Sequence, residues 1–351
     1  MNDGPEQNLL DVDGLEVAYY TREHTLKALH EVSFAVRPGE IVGVVGESGC
    51  GKSTVSAAIL GLLPPNGEIT GGSLRFKGRE LRGLQGEKAR AIRGREIAMI
   101  FQDPLTSLNP TFTIGTQMRE ASRAHREGRK LARKAIRSRA VEVLEQVGIP
   151  DATERIDEFP HQFSGGMRQR IMIAMALMLE PALLIADEPT SALDVTLEAQ
   201  ILELLKQLRA DRGTALLFIS HDLGVIAQIC DRVVVMYAGR IVEEGDVVSI
   251  YEHPLHPYTQ ALLAAVPSHR YRGERLATIP GRVPSLTDLP PGCKFFNRCP
   301  YAQDISLLDE PRYVEVDGQR VRCDMYDAES GYDHNAKPHP PRALRTEETV
   351  A

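Results

Sequence analysis

Eight consecutive residues, Gly46-Glu47-Ser48-Gly49-Cys50-Gly51-Lys52-Ser53, follow the order Gly, any four residues, Gly-Lys-Ser. The order suits binding of a chain of phosphates. Glycines let backbone N–H groups wrap around an anion without Cβ clashes. A helix starting near Lys52 points the positive end of its dipole at the same place. Lys52 reaches the β- and γ-phosphates, and the Ser53 hydroxyl is a Mg²⁺ ligand. Cys50 sits inside the loop, either simply as a small residue or as a redox switch open to alkylation or oxidation near the phosphates. A matching acid should end another buried strand, and Leu183-Leu184-Ile185-Ala186-Asp187-Glu188 supplies two. Asp187 suits the Mg²⁺ role, and Glu188 suits a base that polarises an attacking water.

These side chains need strands to present them. Glu40–Gly46, read EIVGVVG, is apolar enough for a buried parallel strand, and Thr54–Leu63 reads as the helix behind the loop. Leu183–Ala186 and Leu216–Ser220 are two more buried strands. Between them Leu197, Ile201, Leu204, Leu205 and Leu208 recur at helical spacing. Strands alternating with helices predict an α/β fold with a parallel sheet. Leu9–Tyr20 and Val32–Val36 lack a helix between them and predict a small antiparallel sheet alongside. Residues 105–175 carry little strand signal, and Arg119–Gln146 is helix-rich. Arg119–Arg139 holds nine Lys/Arg against two Glu, which reads as a solvated helical face or, alternatively, as a contact with anionic lipid head groups or a partner.

Phe163-Ser164-Gly165-Gly166-Met167-Arg168-Gln169 is a further anion-binding pattern. Ser164 can cap a helix whose first N–H groups the two glycines leave bare. A chain that already has one phosphate site has use for a second if it serves the nucleotide of a partner subunit. The Ser-Gly-Gly resembles the signature of ATP-binding cassette (ABC) proteins, with Phe163 and Met167 in place of the usual Leu and Gln. The resemblance extends over residues 9 to 265. It implies that Gln102, in MIFQDP, is the glutamine that senses Mg²⁺ and the membrane partner. It likewise makes Ser191-Ala192-Leu193-Asp194 the D-loop and His221, in FISHD, the switch histidine that contacts the γ-phosphate. Tyr19, or else Tyr20, becomes the aromatic that stacks on adenine, since the chain has no Trp. The implied fold is a RecA-like nucleotide-binding domain with an antiparallel β subdomain and a helical signature subdomain, followed by a C-terminal accessory segment. ATP would be sandwiched between Tyr19, the Gly46–Thr54 loop, Gln102 and Asp187 of one subunit and Ser164, Gly165, Gly166 and Asp194 of another. The catalytic set is Lys52, Gln102, Glu188 and His221, with Ser53, Gln102 and Asp187 around Mg²⁺.

The wording GESGCGKST, FPHQFSGGMRQR and ADEPTSALDVT is similar to the oligopeptide/dipeptide importer branch, as is Glu252-His-Pro-Leu-His-Pro-Tyr258-Thr259. The resemblance implies an ATPase that powers import of peptides, or of a small solute such as nickel, with the cargo chosen by other subunits. Its expected partners are a related but different ABC ATPase, two membrane permeases and a substrate-binding protein. Its expected location is the cytoplasmic face of the inner membrane. The expected division is 1–255 for the ATPase, with its helical subdomain at about 102–175. An accessory segment follows at 256–333, then a mobile tail at 334–351.

The composition agrees with a folded protein: 351 residues, 42% apolar, 25% charged, net charge -7. About 150 residues per domain gives roughly two domains. The longest apolar run, Ile171–Leu179, is nine residues, against about 20 for a membrane span. The first residues hold no apolar stretch, so no secretory signal is expected. Mild acidity argues against a nucleic-acid partner. A soluble ABC ATPase acting on ribosomes or DNA is the alternative, but the coiled-coil insertions or second cassette usual there are missing. Intact Glu188 and His221 disfavour a subunit that only binds nucleotide. Five cysteines argue against a disulfide scaffold. Cys293, Cys299 and Cys323 share a Pro-rich region. Some members of the branch have four cysteines there and hold a [4Fe–4S] cluster. Here Ser306 stands at the expected third position, so a cluster, a zinc site and reduced packed thiols are the three readings.

Overall fold

The computed structural model describes residues 8–102, 107–125, 128, 130–191, 193–266 and 279–338. Two sheets organise the chain. β1 (Leu10–Tyr20), β2 (Thr25–Val36), β4 (Gly67–Phe76) and β5 (Arg79–Glu80) form an antiparallel sheet in the order β2-β1-β4-β5. The larger sheet takes β3 (Ile41–Val45), β6 (Ile97–Ile100), β7 (Leu183–Asp187), β8 (Ala215–Ser220), β9 (Arg232–Tyr237), β10 (Arg240–Asp246), β11 (Tyr313–Val316) and β12 (Gln319–Arg322). Its order is β11-β12-β10-β9-β3-β8-β7-β6. From β9 to β6 neighbouring strands run parallel; β10, β12 and β11 add antiparallel pairs at the other edge.

The parallel strands are apolar on both faces because both faces are covered. Val42 and Val44 of β3, with Leu183 and Ile185 of β7, point into a core shared with β1, β2 and the helix Lys52–Leu60. Ile41, Val45, Leu184 and Ala186 point the other way, towards the helices Ile114–Arg123, Arg133–Gln146, Gly165–Leu177 and Val195–Arg212. Period-2 alternation thus divides one run of residues between two cores. Each fully buried Val, Leu or Ile stabilises by roughly 1.5–3 kcal/mol.

Strand order decides where chemistry can sit. β8 lies between β3 and β7, with Val45 level with Ser220 and Asp187 level with Ile219. β6 pairs β7 with Ile100 level with Ala186. The ends of β3, β8, β7 and β6 therefore share one edge, the usual place for ligands in a parallel sheet. Those ends carry the Gly46 loop, His221, Asp187-Glu188 and Gln102.

Three local boundaries differ from the sequence expectation. The helix after the loop runs Lys52–Leu60, not to Leu63, because Gly61 takes a left-handed φ of 60° and closes it. β2 starts at Thr25 rather than Val32, since the turn after Tyr20 brings its polar half into register with β1. β6, four residues long, gives too short an apolar run to be recognised alone. The described residues beyond 255 pack into the molecule. The β11–β12 hairpin extends the main sheet, and Phe295, Phe296 and Tyr258 belong to the helix-side core. Residues 339–351 of the expected tail lie outside the described residues, as do Arg126, Glu127 and Arg129 of the basic stretch.

Candidate functional site

The turn after β3 makes a cavity of about 670 Å³. Its floor is the loop Gly46–Thr54. Gly46, Gly49 and Gly51 have φ of 154°, 79° and 107°, a region that disfavours side chains. A Cβ at Gly46 would stand 2.2 Å from the Met236 carbonyl oxygen, and one at Gly51 would meet Leu29 at 2.7 Å. Lys52 is buried, and its Nζ donates to the carbonyls of Gly46 (2.6 Å) and Glu47 (3.2 Å). Ser53 is exposed at the start of the helix.

The other strand ends close around this floor. Tyr19, Gln102, Glu188 and His221 line the same cavity as the loop. Tyr19 is anchored by a 3.3 Å contact between its hydroxyl and Thr54 Oγ1, and Tyr20 points to solvent. Gln102 Nε2 donates to Glu188 Oε2 at 2.8 Å, and His221 Nδ1 lies 3.1 Å from Glu188 Oε1. Glu188 has a φ of 47°, unusual for a residue with a side chain. Such conformations cost of order 1–3 kcal/mol and gather at functional sites. Its carbonyl accepts from the N–H and hydroxyl of Ser191, which helps hold the turn. Asp187 is buried, and its carboxyl pKa is pushed up by burial although the Ser53 hydroxyl donates to it. Two adjacent oxygen ligands, Ser53 and Asp187, beside the loop are a donor set suited to a hard cation such as Mg²⁺.

Cys50 is fully buried, with its Sγ 3.9 Å from Lys52 Nζ. Its Sγ packs close behind Gly46, where an added Cβ would stand 2.7 Å away, and burial pushes its thiol pKa up. Ser164, Gly165, Gly166 and Asp194 do not reach this cavity; they gather at a separate place. Ser164 Oγ accepts from Met167 N–H at 3.3 Å and caps the helix Gly165–Leu177. Asp194 Oδ1 accepts from Thr196 and Leu197 N–H, both at 3.0 Å, and caps the helix Val195–Arg212. The two helix starts touch, since a Cβ at Gly166 would stand 2.8 Å from Leu197. Gly165 is exposed and a Cβ there would meet nothing within 4 Å. Buried Gln169 ties this helix to the catalytic turn by donating to the Pro189 carbonyl at 2.6 Å.

The cysteines converge. Cys293, Cys299 and Cys323 line one cavity with Ser306 and Asp324. Burial pushes their thiol pKa values to about 12, to about 11 and well above the usual value, respectively. The cavity holds about 20 Å³, roughly the room of one water. Among the described residues no three His, Cys, Asp or Glu side chains are placed to hold a metal ion. As arranged, the residues do not fit a four-iron cluster, and the iron–sulfur expectation finds no support.

Sequence spacing missed Leu262 and Leu286, which line the nucleotide cavity from the C-terminal segment. Single apolar residues in a Pro-rich stretch give no signal of their own. A second cavity of about 360 Å³ opens between β6 and the helix Gly165–Leu177 and is lined by Leu62, Met99, Phe101, Met172 and Met175.

A glycine-rich loop between a central parallel strand and a helix, with acids and a histidine at the neighbouring strand ends, defines a P-loop nucleotide-binding protein. The particular kind follows from likeness to known proteins. Residues 29–191 match the ABC transporter family, and residues 242–305 match the oligopeptide/dipeptide transporter C-terminal region. The chain is 48% identical over 316 residues to the dipeptide transport ATP-binding protein DppD of Escherichia coli (strain K12), covering 90% of this chain and 96% of that one. It is 52% identical over 327 residues to a probable peptide ABC transporter ATP-binding protein of Sinorhizobium fredii, covering 92% and 97%. A solved ATP-binding cassette, a dimer in a post-hydrolysis state with ADP and Pi, superposes with a TM-score of 0.60 at 27% identity, covering 68% of this chain and 98% of that one. The chain belongs to the ATP-binding proteins of ABC transporters.

Proposed function

We infer that this chain hydrolyses ATP to power import of di- or oligopeptides through separate membrane permease subunits. The observation that carries the reading is Glu188, held by Gln102 and His221 at the mouth of the phosphate loop. Lys52 neutralises the terminal phosphates, and N–H groups of the Gly46–Thr54 loop other than that of Glu47 cradle them. Ser53, Asp187 and Gln102 would hold Mg²⁺, which would supply neutralisation of charge on the phosphate oxygens. Tyr19 stacks on the base. Glu188 orients and deprotonates the attacking water, and His221 fixes the γ-phosphate beside it. Ser164, Gly165, Gly166 and Asp194 stand outside this cavity, and so serve the nucleotide of a second cassette placed head to tail. Nucleotide binds the closed pair better than the open one, and hydrolysis reopens it.

The second cassette is a related but different chain, and the complex includes two permeases and, through them, a substrate-binding protein. No helix among the described residues is long and apolar enough to cross a membrane. The chain works on the cytoplasmic face of the membrane its partners span. Residues 1–255 carry the ATPase, about 102–175 its helical subdomain, and 256–333 the importer-type accessory segment. The 360 Å³ apolar cavity beside Phe101, next to Gln102, suits a permease helix and would pass its motion to Glu188.

Reconstitution of the whole complex in proteoliposomes tests this. Uptake of a labelled dipeptide should require internal ATP and be lost with Glu188→Gln. Uptake that proceeds without ATP, or co-purification with ribosomes or DNA instead of permeases, would overturn the reading.

A further inference from the structure

Glu47 is the second residue of the phosphate loop, and each of its polar groups is taken. Its carbonyl accepts from Lys52 Nζ at 3.2 Å. Its N–H donates to the Tyr258 hydroxyl at 2.8 Å. Its carboxylate pairs with both arms of Arg298: Nη1 to Oε2 at 2.6 Å and Nη2 to Oε1 at 3.1 Å. Two of these three partners come from the C-terminal segment, 211 and 251 residues away.

Arg298 is built into its place. It is only 4% exposed. Its Nε donates to the Pro280 carbonyl at 2.8 Å, and its Nη1 to the Tyr237 hydroxyl at 3.3 Å. The guanidinium also lies near the faces of Tyr237 and Phe295. Tyr237, Tyr258 and Phe295 pack as a cluster with ring centroids 4.7–5.4 Å apart. A planar fork held on every side can place a carboxylate in one position.

The charge balance gives this contact a consequence. An unpaired carboxylate on the floor of a phosphate site repels the ligand the site is built for, and partial burial makes that repulsion stronger than it would be in water. Arg298 cancels it. We propose that Arg298 is a positioning residue of the nucleotide site: by neutralising and fixing Glu47, with Tyr258 holding the Glu47 backbone, the C-terminal segment sets the affinity of the phosphate loop for ATP. The proposal rests on the nucleotide reading of this site.

The test is titration of the full-length chain with a fluorescent ATP analogue and Mg²⁺, with thermal melting as a check on folding. Arg298→Ala should weaken binding about tenfold. Adding Glu47→Gln to that variant should restore affinity to within about threefold, because the repelling charge is then gone. Arg298→Lys, which keeps the charge and loses the fork, should fall between Arg298→Ala and the unaltered chain. In the assembled complex Arg298→Ala should raise KM for ATP and leave kcat within about twofold. If Arg298→Ala melts below the assay temperature, Arg298→Gln, which removes the charge and the fork but keeps a polar side chain, is read instead with the same expectation. Unchanged affinity in a folded Arg298 variant overturns the proposal. So does a double variant no better than the single one, which would make the pair purely structural. If the unaltered chain fails to bind, or binds as tightly with Lys52→Ala, the nucleotide reading itself falls.

Discussion

His221 Nδ1 lies 3.1 Å from Glu188 Oε1 across the mouth of the phosphate loop. The two residues end adjacent parallel strands, β8 and β7, so the sheet itself fixes their separation. Gln102 holds the other carboxylate oxygen from the next strand, β6. The carboxylate is thus aimed by three strands before any nucleotide arrives.

Glu188→Gln keeps the size of the side chain and removes its basicity. Hydrolysis should fall at least about 100-fold while ATP binding persists. Phosphate release from a complex whose other ATP site has been silenced, together with fluorescent-nucleotide titration, checks both. Unchanged turnover would place the base elsewhere.

Gly165 offers a test in which stability and activity move in opposite directions. A side chain there meets nothing in its own chain, and the position begins a helix. An Asp near a helix N-terminus stabilises by about 0.3–1 kcal/mol. Gly165→Asp should therefore melt no lower than the unaltered protein. In the assembled complex its carboxylate would oppose the second nucleotide, and hydrolysis should drop at least about tenfold. A variant that is both stable and fully active would remove this helix start from the second site.

Much of this site could be read from the sequence because the chemistry is local. The loop, Asp187-Glu188 and His221 each follow a short buried strand, and a parallel sheet brings strand ends together whatever lies between them. The apolar runs of β3, β7 and β8 announced those strands. The contribution of the C-terminal segment was not legible, for a physical reason. Glu47 meets Tyr258 and Arg298 across more than 200 residues, and nothing periodic links an acid in one loop to a base in another. For the thiols the sequence left a cluster, a zinc site and reduced packed thiols open, because spacing alone does not separate a ligand set from small residues packed around a cavity; the cavity of about 20 Å³ they line gives the metal readings no support.

Leu62 is 47% exposed on the rim of the apolar cavity beside β6. It lines that cavity and not the nucleotide cavity. Leu62→Glu should leave ATP binding by the free chain within about twofold and reduce recovery of the permeases on affinity purification, since a charge in an apolar contact is costly. Full recovery of the permeases would move their docking surface elsewhere.

His256 provides a pH test of how firmly the C-terminal segment is packed. It is 1% exposed, and its Nδ1 accepts from the Tyr258 N–H at 3.0 Å, capping the helix Pro257–Ala264. Burial holds its pKa down to about 3, against 6.5 for a free histidine. Above pH 6.5 the ring is neutral in both folded and unfolded chains and proton uptake does not affect stability. Below 6.5 the unfolded chain takes up a proton that the folded one refuses, so stability falls by about 1.4 kcal/mol per pH unit until the folded value is reached. His256→Asn keeps an acceptor for Tyr258 and cannot titrate. It should be the less stable protein at pH 7, because it loses ring contact with Phe295. Between pH 7 and pH 5 that deficit should shrink by about 2 kcal/mol. The neighbouring Glu243 carboxylate, which accepts from Leu255 and His256 N–H, is present in both proteins and largely cancels in the difference. Urea titrations of both at the two pH values measure it, and a constant difference would mean that His256 takes up its proton in the folded protein.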